Sequence, residues 1–350
     1  MKEFDPMKAV YSYYFPESRD VISDLSLPEE IFLTQTPSES ANQALERLHF
    51  KKGFRLPRNE HGNVDLDSMH ESVIDAILEE YKDIIPGLSD FRYRYPTSGS
   101  SEGIFHYLSY LKNRGVNRIR VLSGEYEGYR EYGKTLGIET EEFPDFEGVS
   151  TAGDFWFISN PSARNGNIID EEEILSVAQR GANIALDLAY VGSTEEHVFD
   201  VSNPNIKSVF LSFSKPYGLF RFRIGFTFSR DEVPSLYANR WFKSIPALLI
   251  ALKVAQEIGP KKLAEKYKPI QKQIVDDINR QTGLNMSPSD VLLLGNMTAD
   301  DAGNLEDKSR ELIEQFRRDR NYRFCLTPYF ERKEKGGDEN AQQGNRSFRS

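Results

Sequence analysis

Apolar positions change their period along the chain, and each change predicts a different kind of structure. Up to about Asn63 no steady period holds and Pro, Ser and Glu recur, so residues 1–62 are expected to form an arm plus part of a smaller domain. From Asp65 the pattern sharpens. Met69, Val73, Ile77 and Leu78 fall at helical spacing until Pro86-Gly87 closes the segment. Short apolar runs at 119–122, 155–159, 184–188, 209–212 and 224–228 then read as strands. Helical segments lie between most of them: Ile104, Leu108 and Leu111 share a face, and Asp170 with Glu173 makes a capping-box pattern ahead of Ile174 and Val177. Alternation of this kind predicts a mostly parallel sheet with helices on both faces, an α/β large domain over 63–240. Past Trp241 the pattern changes to longer helices, at 245–258, 263–280 and 312–318, with strand-like runs at 291–294 and 323–326. That suits a linking helix and a smaller α+β domain over 241–350. The stretch ERKEKGGDENAQQGN, 331–345, reads as a mobile loop.

Composition narrows the function. With 350 residues and 39% hydrophobic content the chain can bury a large core. A formal charge of -10 and a pI near 5.2 argue against a nucleic-acid or anionic-membrane partner, although small anions can still bind through local charge. The longest apolar run, IPALLIAL at 245–252, is too short to span a bilayer and reads as a buried helix. The N-terminus mixes acids and tyrosines where a secretory signal needs an unbroken apolar region, so no export signal is expected. The single cysteine, Cys325, excludes an intrachain disulfide and a multi-cysteine zinc site and points to a reducing, cytoplasmic setting.

Four stretches carry candidate chemistry. Thr97-Ser-Gly-Ser-Ser-Glu-Gly-Ile104 is a glycine-serine turn feeding a helix, where backbone N–H groups and the Ser100 and Ser101 hydroxyls can cradle a phosphate. A second, 155–166, is a hydrophobic strand ending in Asn160-Pro161 and a turn. In Ala185-Leu-Asp-Leu-Ala-Tyr190, Asp187 interrupts an apolar strand, and a carboxylate there needs a cation or a protonated ring nitrogen beside it. The fourth, SFSKPYGLFRFRIGF at 212–226, sets Lys215, Arg221 and Arg223 among apolar and aromatic residues. A partly desolvated lysine near another cation keeps its amine neutral enough to form a Schiff base, and Arg223 supplies a fixed cation for a phosphate that Ser212 and Ser214 would also contact.

Together these residues resemble the fold-type I pyridoxal-phosphate enzymes, specifically the class I/II aminotransferases, with histidinol-phosphate aminotransferase-like motifs. The resemblance covers about Asp65 to Glu257. It implies a mostly parallel, seven-stranded-type large-domain sheet and a smaller α+β domain. It further implies that Lys215 carries pyridoxal 5'-phosphate as a Schiff base and that Ser100, Ser101, Ser212, Ser214 and Arg223 serve its phosphate. Tyr126 in GEYEGY matches the ring-stacking aromatic, Asn160 and Tyr190 match the partners of the phenolic oxygen, and Asp187 matches the acid that pairs with the pyridine nitrogen. Catalysis would rest on Lys215, Asp187 and Tyr190, and Arg349 would fork onto the substrate carboxylate, with Arg346 competing for that role. Partners implied are an amino donor, a keto-acid acceptor and a second copy in a homodimer.

The family's N-P-x-N-P-T-G turn reads NPSARNG here, with Arg164 at the second proline, and Arg221 replaces a small residue, so both are expected near the site. A lyase, decarboxylase or oxidase, or a non-catalytic relative that binds the cofactor, would use the same set. A different class also stays open: Gly99-Ser-Ser-Glu-Gly103 fits the nucleophile elbow of a serine hydrolase acting through Ser101, with Asp187 and His197 following in order.

Overall fold

A computed structural model of the protein describes residues 4–8, 13–32, 38–51, 54–147, 152–195 and 197–334. Seven strands make one sheet: β1 (Tyr93–Thr97), β2 (Arg118–Leu122), β3 (Glu139–Phe143), β4 (Phe155–Ser159), β5 (Asn183–Asp187), β6 (Ile206–Ser212) and β7 (Gly225–Ser229). Their order is β1-β7-β6-β5-β4-β2-β3, parallel except for β7, which runs antiparallel to both neighbours. The expected architecture is present, a mostly parallel sheet with helices on both faces.

Alternation of side chains explains why both faces are covered. Trp156 and Ile158 of β4, Ile184 and Leu186 of β5, and Val209 and Leu211 of β6 enter one core, with the helices Met69–Tyr81, Glu171–Gln179 and Ile245–Ile258. Phe157, Ala185 and Phe210 point the other way, onto Ile104, Tyr107 and Leu108 of the helix Ser100–Asn113 and Tyr129 of the helix Glu127–Leu136. Strands apolar on both faces are what a sheet buried from both sides requires. The helix Ile245–Ile258 is buried over most of its length, as its unbroken apolar run predicts. Among the described residues no helix is long and apolar enough to cross a membrane.

Two strands escape the apolar pattern. β3 reads ETEEF and lies at the sheet edge, where Glu141 pairs with Arg118 and Arg120 instead of packing. β1 reads YRYPT and holds Pro96, tolerable because β1 is the other edge.

A second, antiparallel sheet lies near the end of the chain: β8 (Ser287–Pro288), β9 (Leu294–Thr298), β10 (Arg317–Arg318) and β11 (Asn321–Cys325), in the order β10-β11-β9-β8. The expected helix at 312–318 is corrected here. Helix runs only over Asp307–Ile313, and after one 3-10 turn Arg317 and Arg318 pair with β11. The strand expected at 291–294 begins at Leu294 instead. Residues 327–334 are helical, so the loop expected from 331 starts later, and its remainder lies outside the described residues.

His197 is 8% exposed and neither ring nitrogen has a partner among the described residues. Burial holds its pKa down to about 4, against the pull of Asp290. Because the folded pKa is below the unfolded one, the unfolded chain binds the extra proton, and stability is lost as pH falls from about 6.5 toward 4. Between pH 7 and 5 the loss from this residue is on the order of 1–2 kcal/mol. Denaturant midpoints across that range should fall for the wild type and fall measurably less for His197→Leu; parallel curves would refute the assignment.

Candidate active site

The chemistry-bearing residues gather at one edge of the sheet. Ser159, Asp187 and Ser212 end β4, β5 and β6, while the turn after β1 and the start of β7 meet at the same level, with Gly225 opposite both Thr97 and Ser212. Open α/β sheets bind ligands beyond the carboxyl ends of their strands. A cavity of about 430 Å³ opens there, and Ser100, Ser101, Tyr126, Asp187, Tyr190, Ser212, Ser214, Lys215 and Arg223 all line it.

One end of the cavity is built for an anion. Gly99 precedes the helix Ser100–Asn113 with φ 85° and no side chain to cap it, which leaves the first-turn N–H groups for a ligand. A Cβ on Gly99 would meet Arg223 Nη2 at 2.7 Å and push the guanidinium aside, while the positive φ is what calls for glycine in the turn. Arg223 is itself left-handed, φ 51°. Its Nη2 donates to Ser98 O at 2.8 Å and to Ser101 Oγ at 3.3 Å. Glu102 holds the turn from behind, taking Lys243 Nζ at 2.6 and 2.8 Å and Asn239 Nδ2 at 2.9 Å besides the Ser98 N–H.

At the centre lie a lysine and a carboxyl. Burial lowers the Lys215 pKa, Asp187 opposes that, and Arg223 and Arg323 lower it further. The Nζ stands 5.8 Å from the centre of the Tyr190 ring. Burial raises the Asp187 pKa from 3.8 to about 6, even though Ala189 N–H at 3.0 Å and Tyr129 Oη–H at 3.1 Å donate to it. Its proton is therefore held more tightly by roughly 3 kcal/mol, a cost that a cation placed beside it removes.

Comparison with known proteins shows what this arrangement is similar to. Residues 95–265 match the family model for aminotransferase class I and II. That segment, just under half of the chain, is similar to the aminotransferase class I and II family. A histidinol-phosphate aminotransferase of Thermotoga neapolitana is 27% identical over 194 residues, 53% of this chain and 55% of that protein. The chain thus spans about half the length of this relative. Among solved structures, the histidinol-phosphate aminotransferase of Sinorhizobium meliloti in complex with pyridoxal-5'-phosphate superposes with a TM-score of 0.58 at 15% identity, over 91% of this chain and 84% of that one. The aspartate aminotransferase of Thermus thermophilus with maleate gives 0.62 at 11% identity, over 93% and 86%. At such identities these two show the fold.

Not every residue expected from the aminotransferase pattern reaches the cavity. Asn160 is fully buried and does not line it; its amide is spent on Ile169, accepting from that N–H at 3.0 Å and donating to that carbonyl at 3.2 Å. Ala163 and Ser159 form the wall beside it. Arg164 reaches the Pro144 carbonyl at 3.1 Å instead, and Arg221 lines a neighbouring cavity. Arg349 and Arg346 lie outside the described residues. The hydrolase order is not assembled: His197 does not line the cavity, and Ser101 Oγ accepts from Arg223.

Three charged residues were missed by sequence reasoning. Arg318 and Arg323 line the cavity from the second sheet. Glu125, next to Tyr126, is 6% exposed, and burial raises its pKa. It accepts from the Ser159 and Ser162 hydroxyls and from Ala163 N–H at 3.3 Å, so it ties the Tyr126 loop to the opposite wall. The sequence offers little signal for it, since Glu125 stands in the polar turn SGEYEG just after an apolar strand. Glu125→Ala would strand two hydroxyls in the interior and should cost about 2–4 kcal/mol in urea unfolding, with Glu125→Gln recovering part of it. An unchanged urea midpoint for Glu125→Ala would show that the wall stands without it.

Proposed function

We propose that this chain is a pyridoxal-phosphate-dependent aminotransferase that moves an amino group from an amine donor to a keto acid. The observation that carries the reading is the convergence of an anion cradle, a depressed lysine and a buried carboxyl on one cavity. The residues fit the cofactor. Arg223 with Ser100, Ser101, Ser212 and Ser214 would hold its phosphate through charge-assisted bonds. Tyr126 would cover the ring, Tyr190 would serve the phenolic oxygen, and Asp187 would face the pyridine nitrogen, where a cationic ring would relieve the cost of burying its carboxylate. When bound, pyridoxal phosphate supplies an electron sink for charge developing at the substrate's α-carbon.

The chain's own groups do the rest. The Lys215 amine, partly neutral because burial disfavours its charge, would hold the cofactor covalently and would be free to act as a base once a substrate amine is bound. Its Nζ would take and return the proton at the substrate's α-carbon as general base and acid. Asp187 would stand against the ring nitrogen as the counter-charge to its proton.

We also propose a cytoplasmic homodimer. The helix Ile245–Ile258 fills the monomer's core and so gives no interface, but Tyr237, Trp241 and Phe242 just before it are exposed, Phe242 by 80%. Exposed aromatics in a cluster suit a partner surface. Sedimentation at micromolar concentration should give twice the monomer mass; a fully active monomer would remove the claim.

Protein reconstituted with pyridoxal phosphate should absorb in the visible, and borohydride reduction should place the label on the peptide holding Lys215. A colourless protein, or label on another lysine, would sink the reading. Asp187→Asn should fold and bind the cofactor yet lose turnover by at least a hundredfold, since an amide cannot keep the ring nitrogen protonated. Normal turnover in that variant would count against Asp187.

A further inference from the structure

The helix Glu127–Leu136 begins against local preference. Its N-cap is Tyr126, with φ -58°, ψ 117° and no side-chain cap, where Ser, Thr, Asp or Asn would satisfy a first-turn N–H. Its second residue is Gly128, which has no positive φ to call for glycine and lies in a helix that alanine would favour. Two poor choices this close together, beside the cavity that holds Lys215 and Asp187, point to a second requirement.

That requirement is steric. Tyr126 lines the cavity, and its ring folds back onto the first turn of the helix it opens. A Cβ on Gly128 would stand 2.2 Å from Tyr126 Cε1, 2.5 Å from Cζ and 2.8 Å from Oη. These are the three atoms nearest to that Cβ, so it is the tyrosine ring that fills the space glycine leaves. Carbon atoms rest against each other at about 3.5–4.0 Å, and alanine at 128 would drive the ring off by about 1 Å or more. The ring is braced elsewhere too. The Tyr129 ring stands edge-on at 5.4 Å, and the Tyr132 hydroxyl lies 3.4 Å from that of Tyr126.

We propose that Gly128 is a positioning residue: by lacking a Cβ it sets the place from which the Tyr126 ring covers a flat, phosphate-bearing heteroaromatic ligand. That the ligand is such a ring rests on the pyridoxal-phosphate reading; the dependence of Tyr126 on Gly128 does not. Contact between ring faces falls off steeply with distance, and a gap of about 1 Å already forfeits roughly half of the dispersion attraction. The anion cradle at Gly99, Ser101 and Arg223 is built from other elements, so its hold on a bare phosphate should be untouched.

The test is a double-variant cycle on the full chain with Gly128→Ala, Tyr126→Ala and the two together. The probe is pyridoxamine 5'-phosphate, which carries ring and phosphate but cannot bond covalently to Lys215, with inorganic phosphate as the control for the cradle. In calorimetry Gly128→Ala should weaken the probe by about fivefold or more and shift phosphate by less than about twofold. Tyr126→Ala should weaken the probe as well, and adding Gly128→Ala to it should cost less than about a further twofold, because the ring that the new Cβ displaces is gone. Urea midpoints supply a readout without ligand. Gly128→Ala should raise the midpoint in the Tyr126→Ala background, where alanine only improves the helix, and raise it less or lower it when Tyr126 is present. If Gly128→Ala alone fails to fold while the double variant folds, that rescue is the same coupling. Unchanged affinity for the probe in Gly128→Ala, or additive urea midpoints, refutes the proposal, and the cofactor reading stands so long as wild type binds the probe. A wild type that binds phosphate but not pyridoxamine phosphate brings down the cofactor reading; the urea cycle then decides alone, coupling sustaining the dependence of Tyr126 on Gly128 and additivity overturning it.

Discussion

Taking the Lys215 ammonium and the Asp187 carboxyl out of water in a single cavity is the constraint around which the rest is built. Each is unfavourable where it stands: burial drives the lysine toward its neutral form and the carboxyl toward its protonated form. Mutual attraction offsets only part of this, and the Ala189 N–H and the Tyr129 hydroxyl contribute hydrogen bonds that hold the carboxyl in place. Those donors come from different elements. The sheet, the helix behind Tyr129 and the chain after β5 must all be in position before either charge is tolerable, which is how a packed core becomes a reactive site.

Much of the sheet was legible because its central strands are apolar on both faces, and FWFIS, NIALD and the end of IKSVFLS admit no other reading once helices fall between them. The edge strands were not, since the feature that makes an edge safe, charge in β3 and proline in β1, erases the apolar signal that marks a strand. The first strand of the hairpin was lost for another reason, although the run at 323–326 was read as a strand. Its turn is made by Asp319 with φ 55°, a conformation glycine normally signals, so the chain reads as a continuing amphipathic helix. Arg323 nonetheless sits between Tyr322 and Phe324 in strict alternation, a pattern that marks a charge facing something other than water.

Within the site, residues that act through charge were easier to find than those that act through position. Lys215, Asp187 and Arg223 are conspicuous because their neighbours are apolar. Asn160 was placed by its motif, yet both ends of its amide close the turn on Ile169 and none of it faces the cavity. A motif fixes which residue sits at a turn; only the turn's own hydrogen bonds decide which side chain looks inward. Glu125 illustrates the converse, a charge whose partners, two serines and one N–H, become neighbours only after folding.

The carboxylate of Glu102 serves two masters. It accepts from Ser98 in the serine-glycine turn and from Lys243 and Asn239 in the segment that thrusts Trp241 and Phe242 into solvent. Turn and segment are thereby yoked: neither can shift by a hydrogen-bond length without the other following or an ion pair parting in a half-buried setting. A surface that closes over Phe242 would stiffen the serines at the helix start from the outside, so the grip on an anion deep in the cavity becomes a property of the protein's exterior as well as of its interior.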